Sequence, residues 1–228
     1  MNRGQLQFAI SPEVTNLGVT GVYLVIEGMQ NRERDAEFDS LRQQSFERLK
    51  ADYSDDFIER DRVLQGFRRL HTKVGCSNRK FVSSPENLIK ILLRQLAIPT
   101  VNLIVDIYNY VSLETRLALG SHDLSKIDGN VTLRLSNGSE RFVPLGSEEI
   151  KPVKSGEYCY IDDSNEILCR LEYRQVEKTR ITLETTDCFF IVQGNEATSP
   201  EYLKKGMEQL IMLARRYCGG QERVLWSP

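Results

Sequence analysis

One feature limits the fold more than any other: strand-like and helix-like residues come in separate blocks. Residues 131–193 read as β. Val131-Thr132-Leu133-Arg134-Leu135 alternates in polarity, and Asn137-Gly138 follows as a hairpin signal, because both residues tolerate the left-handed backbone of a tight turn. Further strands are expected at 157–161, 167–173, 180–184 and 188–193. Helical spacing falls outside this block, at 33–50, from Ser54 to about 70, from Ser84 onward and from Pro200 to Gly219. A doubly wound parallel sheet needs strict strand–helix alternation. Separate blocks predict an α+β fold instead, a mixed and mostly antiparallel sheet packed with helices.

Local signals sharpen the elements. Leu6-Gln7-Phe8-Ala9-Ile10 and Val22-Tyr23-Leu24-Val25-Ile26 read as a strand pair. Phe38, Leu41, Phe46 and Leu49 recur at helical spacing, and Ser54 is a helix N-cap. Ser84-Pro85-Glu86 supplies an N-cap, a first-turn proline and a first-turn acid for a helix through Leu88, Ile91, Leu92 and Leu96, which Pro99 ends. Residues 103–111 are expected to start extended and finish helical, and Gly120-Ser121-His122-Asp123 reads as a helix-start loop. The last helix carries Leu203, Met207, Leu210, Ile211 and Ala214 on one face, with Gly219-Gly220 after it. Residues 1–83 are read as strands and helices leading into a core at 84–228, the two forming one compact unit.

Composition removes whole function classes. Hydrophobic residues make up 40% of the 228 and charged residues 27%, the balance of a globular chain. No apolar run approaches the roughly 18 residues of a membrane span, and Met1-Asn2-Arg3-Gly4-Gln5 lacks the apolar core of a signal peptide. Five cysteines, odd in number and without a C-x-x-C pair, argue against a disulfide scaffold or a zinc knuckle. Two histidines are too few for a His-rich metal centre. A reduced, cytoplasmic protein is expected, with no cofactor, no metal, and no membrane or DNA partner. No P-loop, G-x-G-x-x-G, G-x-S-x-G or H-E-x-x-H motif is present.

The net charge of −2 excludes a uniformly basic nucleic-acid binder but hides a local excess. Residues 59–80 hold seven cations (Arg60, Arg62, Arg68, Arg69, Lys73, Arg79 and Lys80) against Glu59 and Asp61, a local +5. This is either a phosphate-contacting patch or a solvated helix face. Asp106, Asn109, Glu114, His122 and Asp123 interrupt an apolar stretch. Asp106 and Asn109 would share a helix face. His122 beside Asp123 is either a tunable acid/base pair or turn chemistry. The alternating charges Arg170, Glu172, Arg174, Glu177, Lys178, Arg180 and Glu184 suit a solvated sheet face, one or two of them lining a pocket. Cys188, in an apolar strand, reads as a core thiol.

One stretch of these residues resembles a known family. Val105-Asp106-Ile107-Tyr108-Asn109-Tyr110-Val111, then Leu113-Glu114, then after eight residues Asp123-Leu124-Ser125-Lys126-Ile127-Asp128-Gly129, resembles the core of the B3/B4 domain of the bacterial phenylalanyl-tRNA synthetase beta subunit. Its pattern is V-D-x-x-N-Y-V-x-L-E followed by D-L-x-K-L-E-G. Glu177, with Glu184-Thr185 seven residues later, is similar to that domain's glutamate and its later E-T. The resemblance covers about residues 84–200. The run from Leu70-His71-Thr72-Lys73-Val74-Gly75 to Ser84-Pro85-Glu86, and Gly120-Ser121-His122-Asp123, are similar to free-standing members of the family.

The resemblance implies a B3/B4-like fold and a tRNA-associated function. In the synthetase this domain is an editing module that hydrolyses tyrosine wrongly esterified to tRNA, reading the wrong side chain with a glutamate that Glu177 matches. The family's histidine before D-L-x-K corresponds to Gly120 here, with His122 two residues on. Arg180 replaces a family glycine, and Gln175 and Val176 precede the glutamate where the family has glycines. The expected site is therefore His122 and Asp123 as catalytic candidates, with Glu177, Arg170, Asn109 and Thr185 binding an amino-acid-like ligand. Arg68, Arg69, Lys73, Arg79 and Lys80 are the candidate contacts to tRNA or aminoacyl-tRNA. Two functions follow: hydrolysis of mischarged aminoacyl-tRNA in trans, or a noncatalytic RNA- or amino-acid-binding module. A complete synthetase is not expected, because the resemblance does not extend to an ATP-binding catalytic domain.

Overall fold

A strand that is apolar on both faces must be covered on both. The run Val22–Ile26 is such a strand, and its position organises the molecule. The computed structural model describes residues 5–95 and 98–228. Its helices are α1 (Pro12–Leu17), α2 (Ala36–Asp52), α3 (Asp55–Arg60), α4 (Arg62–Lys73), α5 (Ser84–Gln95), α6 (Leu103–Thr115) and α7 (Pro200–Cys218). Its strands are β1 (Phe8–Ile10), β2 (Thr20–Glu27), β3 (Ala118–Asp123), β4 (Val131–Leu135), β5 (Tyr158–Asp162), β6 (Ile167–Arg170), β7 (Arg174–Gln175), β8 (Cys188–Gly194) and β9 (Gln221–Trp226).

The strands form two sheets. One has the order β3-β8-β2-β9 and is antiparallel throughout. The other has the order β1-β4-β5-β6-β7, antiparallel except for the parallel β1–β4 pair. The fold is thus α+β with mostly antiparallel pairing, as expected. Val22, Leu24 and Ile26 of β2, with Phe190 and Val192 of β8, pack in one core with α2, α5, α6 and α7. The alternate residues Tyr23, Val25, Phe189 and Ile191 pack with Val131, Leu133, Tyr158 and Tyr160 of the second sheet and with Val63, Phe67 and Leu70 of α4. The period of two along each strand divides the molecule into a helix-side core and a sheet-side core.

Several local expectations change. The segments 6–10 and 22–26 do not pair with each other: β1 joins β4, whereas β2 lies between β8 and β9. The helix after Ser54 is two helices, because Asp61 takes an extended backbone and caps the second by accepting from the N–H groups of Val63 and Leu64. Helix α6 is helical from its first residue, since Asn102 caps it through the Val105 N–H. Asn137-Gly138 forms a turn, yet β4 pairs with β5 rather than with a strand directly after the turn. The turn folds onto Glu140, which accepts from both backbone N–H groups and from Arg134. Residues 180–184 form a loop, and Gly120-Ser121-His122-Asp123 belongs to strand β3, not to a loop. Leu96 and Met1 to Gly4 lie outside the described residues. Among the described residues no helix is long and apolar enough to cross a membrane.

Candidate functional site

A cavity of about 480 Å³ opens where α5, α6 and β3 meet the β6–β7 turn. Its floor is made by a backbone irregularity. Leu171 adopts a left-handed conformation (φ 53°), which costs a side-chain-bearing residue roughly 1–2 kcal/mol. Its N–H bonds the Tyr158 carbonyl at 3.0 Å, and the next residue's carbonyl accepts from Ser84 N–H at 3.0 Å, tying the turn to the start of α5. The result turns Glu172 inward, so that a carboxylate in a run of alternating charges becomes almost fully buried.

A buried carboxylate must be saturated with donors. Glu172 accepts from Tyr158 Oη and from Gln193 Nε2 on one oxygen, and from His71 Nε2 on the other. The second ring nitrogen of His71 lies 3.1 Å from the Phe81 carbonyl, which can only accept. Donation at both ring nitrogens describes an imidazolium. Burial opposes that charge, but the Glu172 carboxylate and the Phe81 carbonyl outweigh it and hold the His71 pKa above its ordinary value. The network continues outward, Tyr160 Oη lying 2.5 Å from Gln193 Oε1 and 3.3 Å from Tyr23 Oη. The floor is therefore a compensated ion pair, not a bare negative charge.

The walls differ in chemistry. Leu88, Leu119, Leu145 and Ile191 form an apolar side. Tyr108 and Asn109 of α6 supply a phenol and a carboxamide with no hydrogen-bond partner among the described residues. Burial pushes the Tyr108 phenol well above its ordinary range, so it is a neutral donor. At Gly120 of β3, a Cβ would stand 2.5 Å from Gln175 Nε2. The Gln175 amide thus fills the space that a side chain at position 120 would need, and it lies 3.5 Å from the Ser121 carbonyl.

Of the residues singled out from sequence, Asn109 and Gly120 line this cavity, as do Glu172 and Arg174 of the alternating run. The others lie elsewhere. His122 is 1% exposed, with Nδ1 2.7 Å from Thr179 Oγ1 and Nε2 without a partner, and burial lowers its pKa to about 3. Asp123 accepts from Ser125 and Thr185, so Thr185 serves that carboxylate. Arg170 makes a two-pronged contact with buried Glu157 at 2.5 and 2.7 Å. Glu177 pairs with Arg180 at 2.8 Å and accepts from Gly146 N–H, beside a second cavity of about 250 Å³. Asp106 faces Arg42 at 3.1 Å while Asn109 faces the cavity, and Glu114 is held by Arg48 at 2.7 Å.

The basic segment is largely neutralised. Arg68 bridges Glu59 and Glu86, and Arg69 and Lys73 share Glu196. Arg79 and Lys80 are exposed, with no carboxylate partner among the described residues. The carboxylates of Asp128, Asp162 and Glu166 converge, but the Lys178 ammonium already sits among them, 2.6 Å from Asp128. Sequence reading missed His71, Tyr108, Tyr158 and Gln193. The available signal was modest: Leu64, Phe67 and His71 share one apolar face of α4, which marks His71 as buried.

Comparison with known proteins bears on the same elements. A family model described as "B3/4 domain" matches residues 67–219. The phenylalanine–tRNA ligase beta subunit of Aliivibrio fischeri is 34% identical over 95 residues, covering 42% of this chain and 12% of that protein. The beta subunit of Fusobacterium nucleatum is 28% identical over 155 residues, covering 68% of this chain and 18% of that protein. The chain thus spans less than a fifth of the length of these relatives. An N-terminal fragment of the phenylalanyl-tRNA synthetase beta subunit from Pyrococcus horikoshii superposes with a TM-score of 0.52 at 16% identity, covering 97% of this chain and 51% of that one. That likeness is one of fold.

Proposed function

The chain belongs to the B3/4 domain family, and from that premise we propose that it is a noncatalytic recognition module that holds the aminoacyl end of a charged tRNA. The cavity takes the amino-acid part. Its volume of about 480 Å³ suits an amino-acid-sized group within the usual range of ligand pockets. The apolar wall receives a side chain, while the Tyr108 phenol and the Asn109 carboxamide fix the polar end.

One observation carries the choice of binding over hydrolysis: Gly120, which the resemblance sets at the position of the family's histidine, has no side chain, and the Gln175 amide fills that space. Among the described residues no imidazole lines the cavity. His71, beneath the floor, has both nitrogens engaged. An aminoacyl ester is labile, and a pocket that orients water and stabilises the oxyanion would accelerate its hydrolysis. Apart from Glu172, which His71 engages, and Arg174, the polar groups lining it are neutral amides and hydroxyls, suited to holding the ester.

The test pairs binding with turnover. Titration calorimetry with the proteinogenic amino acids as their amides is expected to find a ligand whose affinity falls about tenfold in Tyr108→Phe or Asn109→Ala. A deacylation assay over a panel of misacylated tRNAs is expected to give rates no faster than spontaneous hydrolysis. Acceleration of any of them would replace this reading with trans-editing, and His122→Ala and Glu177→Ala would then show whether the residues first singled out carry it.

A further inference from the structure

We propose that a single-stranded RNA end docks on the face formed by Arg79, Lys80, Lys154, Tyr173 and Arg174, beside the mouth of the cavity. The proposal rests on the reading above, that the cavity takes the aminoacyl end, and adds the surface over which the RNA reaches it.

The first observation is charge. Arg68, Arg69 and Lys73 of α4 are cancelled locally by Glu59, Glu86 and Glu196. Arg79, Lys80, Lys154 and Arg174 are exposed, and none has a carboxylate partner among the described residues. The neighbouring acids give no relief, because Glu157 is consumed by Arg170 and Glu172 by His71. Lys80, Lys154 and Arg174 are linked through one set of contacts, and Arg79 precedes Lys80 in the chain. The Lys154 ammonium lies over Gly75, 3.6 Å from where a Cβ would stand, and both Lys154 and Arg170 act electrostatically on the Cys76 thiol. The Arg170 guanidinium then stacks 4.8 Å from the Phe81 ring, and Lys80 lies 5.6 Å from the same ring. Tyr173 meets Phe81 edge-on at 5.3 Å, and Arg174 follows it in the chain.

The second observation is the aromatic ring among these charges. Tyr173 is 38% exposed, lines the cavity and is held by Phe81 beneath it. A rigid, half-exposed ring between unpaired cations fits a partner that alternates phosphates with flat bases, the recognition mode of single-stranded nucleic acid. An acidic peptide would use the cations and leave the ring idle. Because the cavity reading calls for an esterified 3′ end, the strand is RNA.

The experiment measures fluorescence anisotropy of deacylated tRNA on the full chain, across a salt series. A second arm uses the same tRNA shortened by its unpaired 3′ nucleotides, a third uses heparin, and a parallel titration uses the amino-acid amide. Lys80→Glu with Lys154→Glu is expected to weaken tRNA binding at least tenfold and to flatten the log–log salt slope by about 1.4, two contacts at roughly 0.7 each. Tyr173→Ala is expected to weaken binding about fivefold or more at unchanged slope, and removing the 3′ nucleotides to do the same. The control Arg69→Gln with Lys73→Gln should bind as wild type. Wild-type affinity in the Lys80/Lys154 variant, or a larger loss in the control, overturns the proposal. So does heparin binding that follows the same variants while Tyr173→Ala is neutral, which would make the face a general polyanion site. Loss of tRNA binding with amide binding intact leaves the cavity reading standing. Amide failure with tRNA binding that responds to these variants removes only the cavity.

Discussion

His71 and His122 are equally buried, each 1% exposed, and yet they are opposite in chemistry. His71 sits between the Glu172 carboxylate and the Phe81 carbonyl and holds a proton more firmly than a free histidine. His122 has one neutral neighbour, Thr179, and an unpartnered Nε2, and burial strips its proton down to a pKa of about 3. Burial sets how much a charge costs; the partner decides whether it is carried. The carboxylate next to His122 in sequence does not help it. Consecutive residues of a strand point to opposite faces, and Asp123 turns toward Ser125 and Thr185.

The comparison breaks hardest at Glu172. Replacing one partner of a buried ion pair leaves the other uncompensated, a loss of about 3–5 kcal/mol. Glu172→Gln keeps the shape and an acceptor, so about 3 kcal/mol is expected, read as a lower urea midpoint at pH 6. A midpoint equal to wild type would mean that the pair does not hold the floor together.

pH gives the two histidines opposite signs. The unfolded chain protonates His122 below about pH 6.5, which the folded chain refuses down to about 3. Stability from this site is therefore lost as pH falls below about 6.5, by about 1.4 kcal/mol per unit. His71 has a raised folded pKa, so its contribution is fully present below about 6.5 and is lost as pH rises through the folded value. Urea unfolding between pH 5 and 9 should show His122→Asn flattening the acid limb and His71→Asn flattening the alkaline limb. Glu172→Gln should act like the latter. If both histidine variants change the same limb, the opposition drawn between them is wrong.

Legibility in the sequence follows the range of the interactions. The block arrangement, the doubly apolar strand Val22–Ile26, the Ser54 cap and helix α7 are local patterns, and the structure contains them. Strand β3 has only Leu119 as a strongly apolar side chain past Ala118, and it is a strand because β8 offers it an edge. The segment 180–184 has strand-like residues but forms no strand, and it is a loop in which the Ile181 and Thr182 carbonyls bond Asn102 and Asn31. The cavity was legible one residue at a time, in Asn109 as a polar interruption and in Glu172 and Arg174 as members of a charged run. Their convergence was not, because the floor is built by α4, β5, β8 and a left-handed Leu171.

The smallest expected effect separates the two regions most cleanly. Glu177 is the residue that the family resemblance marks for side-chain recognition, while Glu172 is the carboxylate that lines the large cavity. Glu177 is about one-third exposed, its Arg180 partner more than half, and exposed ion pairs contribute about 0–1 kcal/mol. Its second bond, from Gly146 N–H, anchors a loop end at the smaller cavity. Glu177→Ala should therefore cost less than about 1 kcal/mol and leave amide binding in the large cavity within about twofold of wild type. A tenfold loss of that binding at unchanged stability would move recognition to the smaller cavity, where Arg141, Glu166 and Lys178 are already paired. A ligand there would meet Val143, Ile167, Leu168 and Val176 beside Glu148, a different chemistry from the phenol and carboxamide that line the large cavity.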